Sequence, residues 1–251
     1  VSANTAAIAL KGDATDVSAN TAAIALKGDA TDVSANTAAV ALINGCPSDM
    51  VAAGPLCVDK YEASVYSDVS LTTIIAGAAI NTACQTDGSD WAVGAANPIY
   101  AGSVTGVMPS FDITYYQAAV ACANEGKGLP TVSEWQMAAS GTPTSVGDGT
   151  TGCNGSGGLG NTGAAGANCQ SSAGAFDMAG NLYELTANLI FVHNTLFAGL
   201  DTNTDTDTAR VVAMGDDFNN NGITNSIKDV LSTGPSDTGN FTTGFRCVKD
   251  K

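Results

Sequence analysis

The sequence predicts an α+β head with two short helices, few short strands and long loops, carried behind a trimeric α/β coiled-coil stalk. Three observations lead there. A 16-residue unit, VSANTAAIALKGDATD, is stated at 1–16, repeated unchanged at 17–32 and begun again at Val33. The remaining chain is aperiodic and contains two helical stretches with their own start and stop signals. All seven cysteines lie in that aperiodic body. The stalk is expected over 1–43 and the head over 44–251.

In each repeat an apolar residue, an Asn and a second apolar residue recur at offsets 3 and 7: Val1, Asn4 and Ile8, then Val17, Asn20 and Ile24, then Val33, Asn36 and Val40. Those offsets belong to heptad positions a, d and the next a, so one helix seam carries Val, Asn and Ile. An Asn in a seam costs stability but fixes register and oligomeric state. From Ile8 to Val17 the step is nine residues, so each unit is one heptad plus one nonad. Two extra residues turn an ideal helix by roughly 200°. The strands must therefore leave the helix locally at the KGD segment, through a short β-like layer. The alternatives are a flexible Ala/Thr linker or a pair of ordinary surface helices packed on the body; a linker has no obvious use for an Asn repeated at a seam position. The chain opens at Val inside a repeat, which reads as a processed chain or the end of something longer.

Composition limits the partners. With 44% hydrophobic residues, 251 residues can bury a substantial core, and only 13% are charged, which leaves a polar, weakly ionic surface. A formal charge of −15 repels a phosphate backbone and excludes nucleic acid as a partner. The most apolar stretch, LTTIIAGAAI at Leu71–Ile80, is too short to span a bilayer, so no membrane insertion is expected. Seven cysteines without a CxxC pair, beside a single histidine (His193), fit disulfides in an oxidising, extracellular setting better than zinc.

Within the body, YYQAAVACAN places Tyr116, Ala119, Val120 and Ala123 at helical offsets, and EGKG supplies the stop. PTVSEWQMAA opens a second helix with Pro130, a Thr131 or Ser133 cap and Glu134 in the first turn. The Gly/Asn run from Ser145 to Gly174 reads as loop. Trp91, Trp135 and the Tyr115–Tyr116 pair read as core, and His193 as a loop or core residue.

Four stretches, CPSDMVAAGPLCVDKYEAS (Cys46–Ser64), FDITYYQAAVACANEGKGLPTVSEWQMAA (Phe111–Ala139), FDMAGNLYELTANL (Phe176–Leu189) and GFRCVKD (Gly244–Asp250), resemble in order and spacing the formylglycine-generating enzyme domain. The resemblance implies a variant of the C-type lectin fold. It also implies a disulfide between Cys122 and Cys247; we add Cys153–Cys169 as a loop staple and Cys46–Cys57 as a hairpin closure, with Cys84 left over. Catalytic members of that family use two cysteines close together, upstream of the terminal GFRC, to bind copper and activate oxygen. Here 188–246 contains no cysteine, and RVVAMGDDFNN (Arg210–Asn220) stands where the family has RGGSW. Oxidase activity is therefore not expected. The repeat in turn resembles the Asn-bearing heptads of trimeric autotransporter stalks and phage fibres, which implies an axial anion such as chloride held by Asn4, Asn20 and Asn36.

DTNTDTD (Asp201–Asp207) and DFNNNG (Asp217–Gly222) alternate oxygen side chains in the manner of calcium loops, with Asp201, Asn203, Asp205 and Asp217 as candidate ligands. Lys228 stands where a twelfth-position acid is wanted. The resemblance implies calcium near Asn181 and Glu184 as well. Leu200–Phe241, rich in Asn, Asp, Thr and Ser, is the expected recognition surface, with Asn219, Asn220, Asn221, Asn225 and Asp237 as contact residues. The function expected is a non-catalytic, homotrimeric fibre tip, on a virion tail or cell surface, that recognises a host-surface glycan or protein. The resemblance also implies heads diversified just before GFR in some phages and bacteria. The alternative is a structural subunit of an extracellular filament or a virion decoration protein.

Overall fold

The chain divides into two compact units, Val1–Gly45 and Cys46–Lys251. The computed structural model describes residues 45–75, 97–143, 146–192, 208–219, 230–233 and 242–251. The stalk expectation, with Asn4, Asn20 and Asn36, lies outside the described residues. So do Trp91, His193 and Cys84.

The Cys46–Lys251 unit opens with a hairpin, β1 (Met50–Ala53) and β2 (Leu56–Asp59), whose second strand pairs antiparallel with the last strand, β11 (Val248–Asp250). The head thus begins and ends in one three-stranded sheet. β3 (Ser64–Tyr66) pairs with β4 (Tyr100–Gly102), and a two-residue parallel ladder joins β5 (Val146–Gly147) to β6 (Cys153–Asn154). A four-stranded sheet follows in the order β10 (Thr243–Phe245), β7 (Tyr183–Val192), β8 (Thr208–Met214), β9 (Val230–Thr233); its β10–β7 pairing is parallel and the rest antiparallel. This is the α+β, C-type-lectin-like architecture expected, although with more strands than the Gly/Asn-rich composition suggested.

Both helices lie where their signals put them. α1 (Tyr115–Asn124) starts at Thr114, whose hydroxyl accepts from Gln117 N while the Gln117 carboxamide accepts from Thr114 N. α2 (Val132–Ala139) starts at Thr131 with the same reciprocal box to Glu134, which settles the cap in favour of Thr131 over Ser133. A further orphan donor, at Val132, is met from outside the helix: Asn188 Oδ1 accepts its N–H at 2.7 Å.

The face of α1 differs from the one its large residues suggest. Gln117, Ala118, Ala121 and Cys122 are buried, whereas Tyr116 is 52% exposed and Ala123 is exposed. The capping box and the Cys122–Cys247 disulfide draw the small-residue face inward, against Ala63, Ile99, Leu185 and Phe245. Tyr115 packs on that core, while the exposed Tyr116 meets the Tyr115 ring edge-on, so the Tyr pair is divided between core and surface. A second cluster gathers Trp135, Ala138, Met178, Met214 and Val248 between α2 and the two larger sheets.

A second correction concerns 200–241. Val211, Ala213 and Met214 are fully buried in β8, an inner strand of the four-stranded sheet, and β9 adds its edge. The VVAM run is thus core, as β-branched and apolar residues in sequence favour. Exposed recognition loops can lie only around these strands. The three disulfides Cys46–Cys57, Cys122–Cys247 and Cys153–Cys169 are formed, with Cα separations of 5.3, 5.6 and 4.8 Å.

Candidate functional site

The polar centre of the head is built from the acidic strand end, the Phe176–Leu182 turn and the terminal GFRC. Arg246 is fully buried; its Nε and Nη2 donate to the two oxygens of Glu184, at 2.6 and 2.5 Å. Trp135 Nε1 adds a 2.6 Å bond to Glu184 Oε2. The remaining guanidinium donors reach Asp59 O and Phe176 O. Burial alone would lower the affinity of Arg246 for its proton, but Glu184 beside it raises that affinity.

Two further acids are placed three residues apart by the sequence DKYE. Asp59 accepts from Lys127 Nζ at 2.7 Å and from Cys247 N at 2.9 Å; burial still pushes its carboxyl up to about 6. Glu62 accepts from Asn181 Nδ2 and Leu182 N. Burial, reinforced by Asp177 and Glu184, lifts Glu62 well above the ordinary glutamate range. Each of the two acids therefore ties the first sheet to a segment more than a hundred residues away.

Above this centre lies a small cleft of about 100 Å³ between the glycine-rich loop 148–165 and the turn at Asp177–Asn181. Asp177 and Asn181 both hold left-handed backbone, at φ 55° and 62°. Gly180, at φ 74°, lies against the Asn154 backbone, where a Cβ would collide with the Asn154 carbonyl. Asn181 Oδ1 accepts from Gly160 N and Asn154 Nδ2, both at 2.9 Å. Asp177 Oδ2 accepts from Gly163 N, and burial raises its carboxyl to about 6 against that bond.

These partners decide the calcium expectation at Asn181 and Glu184. Both Glu184 oxygens face Arg246, and the Asn181 carbonyl oxygen already takes two N–H donors, so the pair does not fit a calcium site. A cation there would stand against a guanidinium. Among the described residues no three His, Cys, Asp or Glu side chains are grouped to hold a metal.

Of the C-terminal candidates, Asp217 and Asn219 are described. Asp217 is half-buried and its Oδ1 accepts Asn219 N at 2.7 Å, while Asn219 is exposed. The structure thus joins one candidate ligand and one candidate contact residue in a single Asx turn. Phe218 N anchors that turn to Asn181 O. Asp201, Asn203, Asp205, Asn220, Asn221, Asn225 and Asp237 lie outside the described residues. The cleft itself was not foreseen: its glycines and asparagines signal only loop until their partners are known. No helix among the described residues is long and apolar enough to cross a membrane.

Comparison with solved structures returns the same fold. The U1 and I1 variants of the major tropism determinant align with TM-scores of 0.51, at 19% and 18% identity, over 81% of this chain and 53% of theirs. CarF aligns at 15% identity and a TM-score of 0.45, over 78% of this chain and 86% of its own. The chain therefore spans about half the length of the tropism-determinant structures it matches. No curated protein sequence matches it significantly. The DKYE acids, the capped PTVSEW helix, the GNLYE turn and the terminal GFRC are thus held in one buried network, and residues 46–251 match one family throughout: the chain belongs to the sulfatase-modifying factor enzyme 1-like domains.

Proposed function

We propose that this chain is the non-catalytic receptor-binding tip of a trimeric fibre, on a virion tail or cell surface, and that it recognises a host-surface glycan or protein through loops in 200–241. One observation carries the reading. The polar C-terminal segment is bracketed by β8 and β10, and β10 runs directly into Arg246 and Cys247, which the buried network and a disulfide hold in place. Polar loops on a fixed base are the arrangement recognition requires. The fold shared with proteins titled major tropism determinant supports it, since tropism is the choice of host. Against oxidase chemistry stands the lack of any cysteine in 188–246.

The test is alanine substitution of Asn219, Asn220, Asn221, Asn225 and Asp237 in the full chain. Attachment to target cells is lost while the melting temperature holds, because exposed polar changes cost under about 0.5 kcal/mol. Normal attachment by all five variants overturns the reading in favour of a structural subunit of a filament or virion decoration. The trimer, with an axial chloride at Asn4, Asn20 and Asn36, is tested by substituting all three with Ile: melting rises and the oligomeric state loosens. Calcium, in this reading, belongs to Asp201, Asn203, Asp205 and Asp217. Chelation then lowers the melting temperature of the wild type and leaves an Asp217→Ala variant unmoved.

A further inference from the structure

We propose that the cleft between the loop 148–165 and the Asp177–Asn181 turn is a second binding site, built to take one hydroxyl-bearing sugar unit. Its described lining includes none of the C-terminal contact residues, although Phe218 N ties the Asn219 turn to the Asn181 backbone. Chemistry narrows the ligand first. The cleft, of about 100 Å³, is lined by Asp148, Thr150, Asn154, Asn161, Asp177 and Asn181 with glycines and two alanines between them. Among the described residues no basic side chain lines it, so phosphate, sulfate and carboxylate ligands find no counter-charge there, and no large apolar side chain does, so an apolar ligand gains little.

Spare hydrogen-bonding capacity narrows it further. Asp177 is only 5% exposed; one of its oxygens accepts Gly163 N, and the other takes no bond from a described residue. An acceptor on a side chain that lines the cleft can take a donor from a ligand in place of water. Asp148, on the exposed rim, spends one oxygen on the Thr150 and Thr151 donors and keeps the second. The two asparagines are committed. Asn154 Nδ2 donates to Gly158 O and Asn181 Oδ1, and its Oδ1 accepts Gly157 N. Their amide oxygens are therefore not free for a hard dication, which wants six to eight oxygens. What remains is two carboxylate oxygens open to O–H donors, which a sugar ring supplies several at a time.

The walls are set before any ligand arrives. The Cys153–Cys169 disulfide closes the loop. Tyr61, stacked on Phe176 with ring centroids 5.0 Å apart, leans on Gly163, where a Cβ would come within 2.7 Å of the ring. Gly163 in turn holds Asp177. Such preorganisation removes ordering costs from binding.

The experiment is saturation-transfer NMR on the full chain in EDTA, with glucose, galactose, mannose, fucose, N-acetylglucosamine and N-acetylgalactosamine as probes. At least one sugar receives saturation from the protein. The signal falls at least fivefold in Asp148→Ala and in Ala164→Phe, which fills the mouth from an exposed position. It stays unchanged in Val69→Ser, at an exposed position outside both the cleft lining and 200–241, and the receptor-tip reading is judged separately, by cell attachment of the C-terminal variants. Ala164→Phe leaves the Asp148 turn intact, so either folded variant decides the matter. No transfer from any of the six sugars, transfer that persists in both cleft variants, or transfer that appears only when calcium is added each overturns the proposal.

Discussion

Arg246 meets Glu184 as a two-point pair, Nε to Oε2 and Nη2 to Oε1, with both side chains out of solvent. The other guanidinium donors close on Asp59 O and Phe176 O, so one side chain joins β7, the end of β2, the Phe176 turn and the β10–β11 junction. A planar fork of five donors can serve that many segments, whereas an ammonium cannot.

Truncating either partner leaves a buried charge uncompensated, at a cost of about 3–5 kcal/mol. Arg246→Leu and Glu184→Gln should each lower urea-unfolding stability by that order. Arg246→Lys should recover little of it, because a point charge cannot span both Glu184 oxygens. A Lys variant within about 1 kcal/mol of wild type would show the bidentate geometry to be dispensable.

The buried acids give the head an unusual pH dependence. Burial raises Asp59 and Asp177 from the ordinary 3.8 to about 6, and raises Glu62 well above its own ordinary value. A folded-state pKa above the unfolded one means the folded state holds its proton more tightly. The stability so gained is complete below about 4 and is lost as pH rises through 6. Melting temperature should therefore increase, by roughly several degrees, between pH 7.5 and pH 5. Hydrogen bonds from Thr73 and Thr150 lower Asp68 and Asp148, whose contribution disappears only at strongly acid pH. Asp177→Asn should flatten the rise; a wild-type melting temperature that falls over the same interval would contradict the burial argument.

Local signals carried the parts of the fold that are locally determined. The start of α2 was legible from Pro130 and Glu134, whereas the choice of Thr131 over Ser133 as its cap rested on the reciprocal bonds between Thr131 and Glu134. The cysteine pairs were legible through family resemblance and loop placement. The inward face of α1 was not, because alanines 118 and 121 say nothing about direction until Cys122 is bound to Cys247. The polar network was equally hidden. Asn181 finds Glu62 across 119 residues, and Asp177 finds Gly163 in a loop whose composition marks only flexibility. VVAM in 211–214 was hidden for a different reason: the acidic, Asn-rich residues around it masked a strand of ordinary β propensity.

The capping boxes lend themselves to a smaller test. Thr131→Ala removes the acceptor for Glu134 N and should cost about 1 kcal/mol. Glu134→Ala should then add little, since the box acts as a unit. Full additivity in the double variant would mean that the two bonds stabilise α2 independently.

The final prediction ranks the disulfides. Cys122 and Cys247 are 125 residues apart, against 11 for Cys46–Cys57 and 16 for Cys153–Cys169. Closing a loop removes entropy from the unfolded chain in proportion to the logarithm of its length, which gives about 5 kcal/mol for the long loop and about 3 kcal/mol for either short one. The folded side adds to the difference. Cys247 N donates to Asp59, which is also held by Lys127, and the neighbouring Val248 bridges to Gly128, so the long disulfide closes a region already tied at three points. Replacing Cys122 and Cys247 together by Ser should thus lower stability by about 2 kcal/mol more than replacing either short pair. Unfolding in urea without reductant, on the three double variants, measures the order directly. If either short pair proves the costliest to remove, the network around Asp59 is holding the C-terminus without help from the disulfide, and the long crosslink is redundant to the fold.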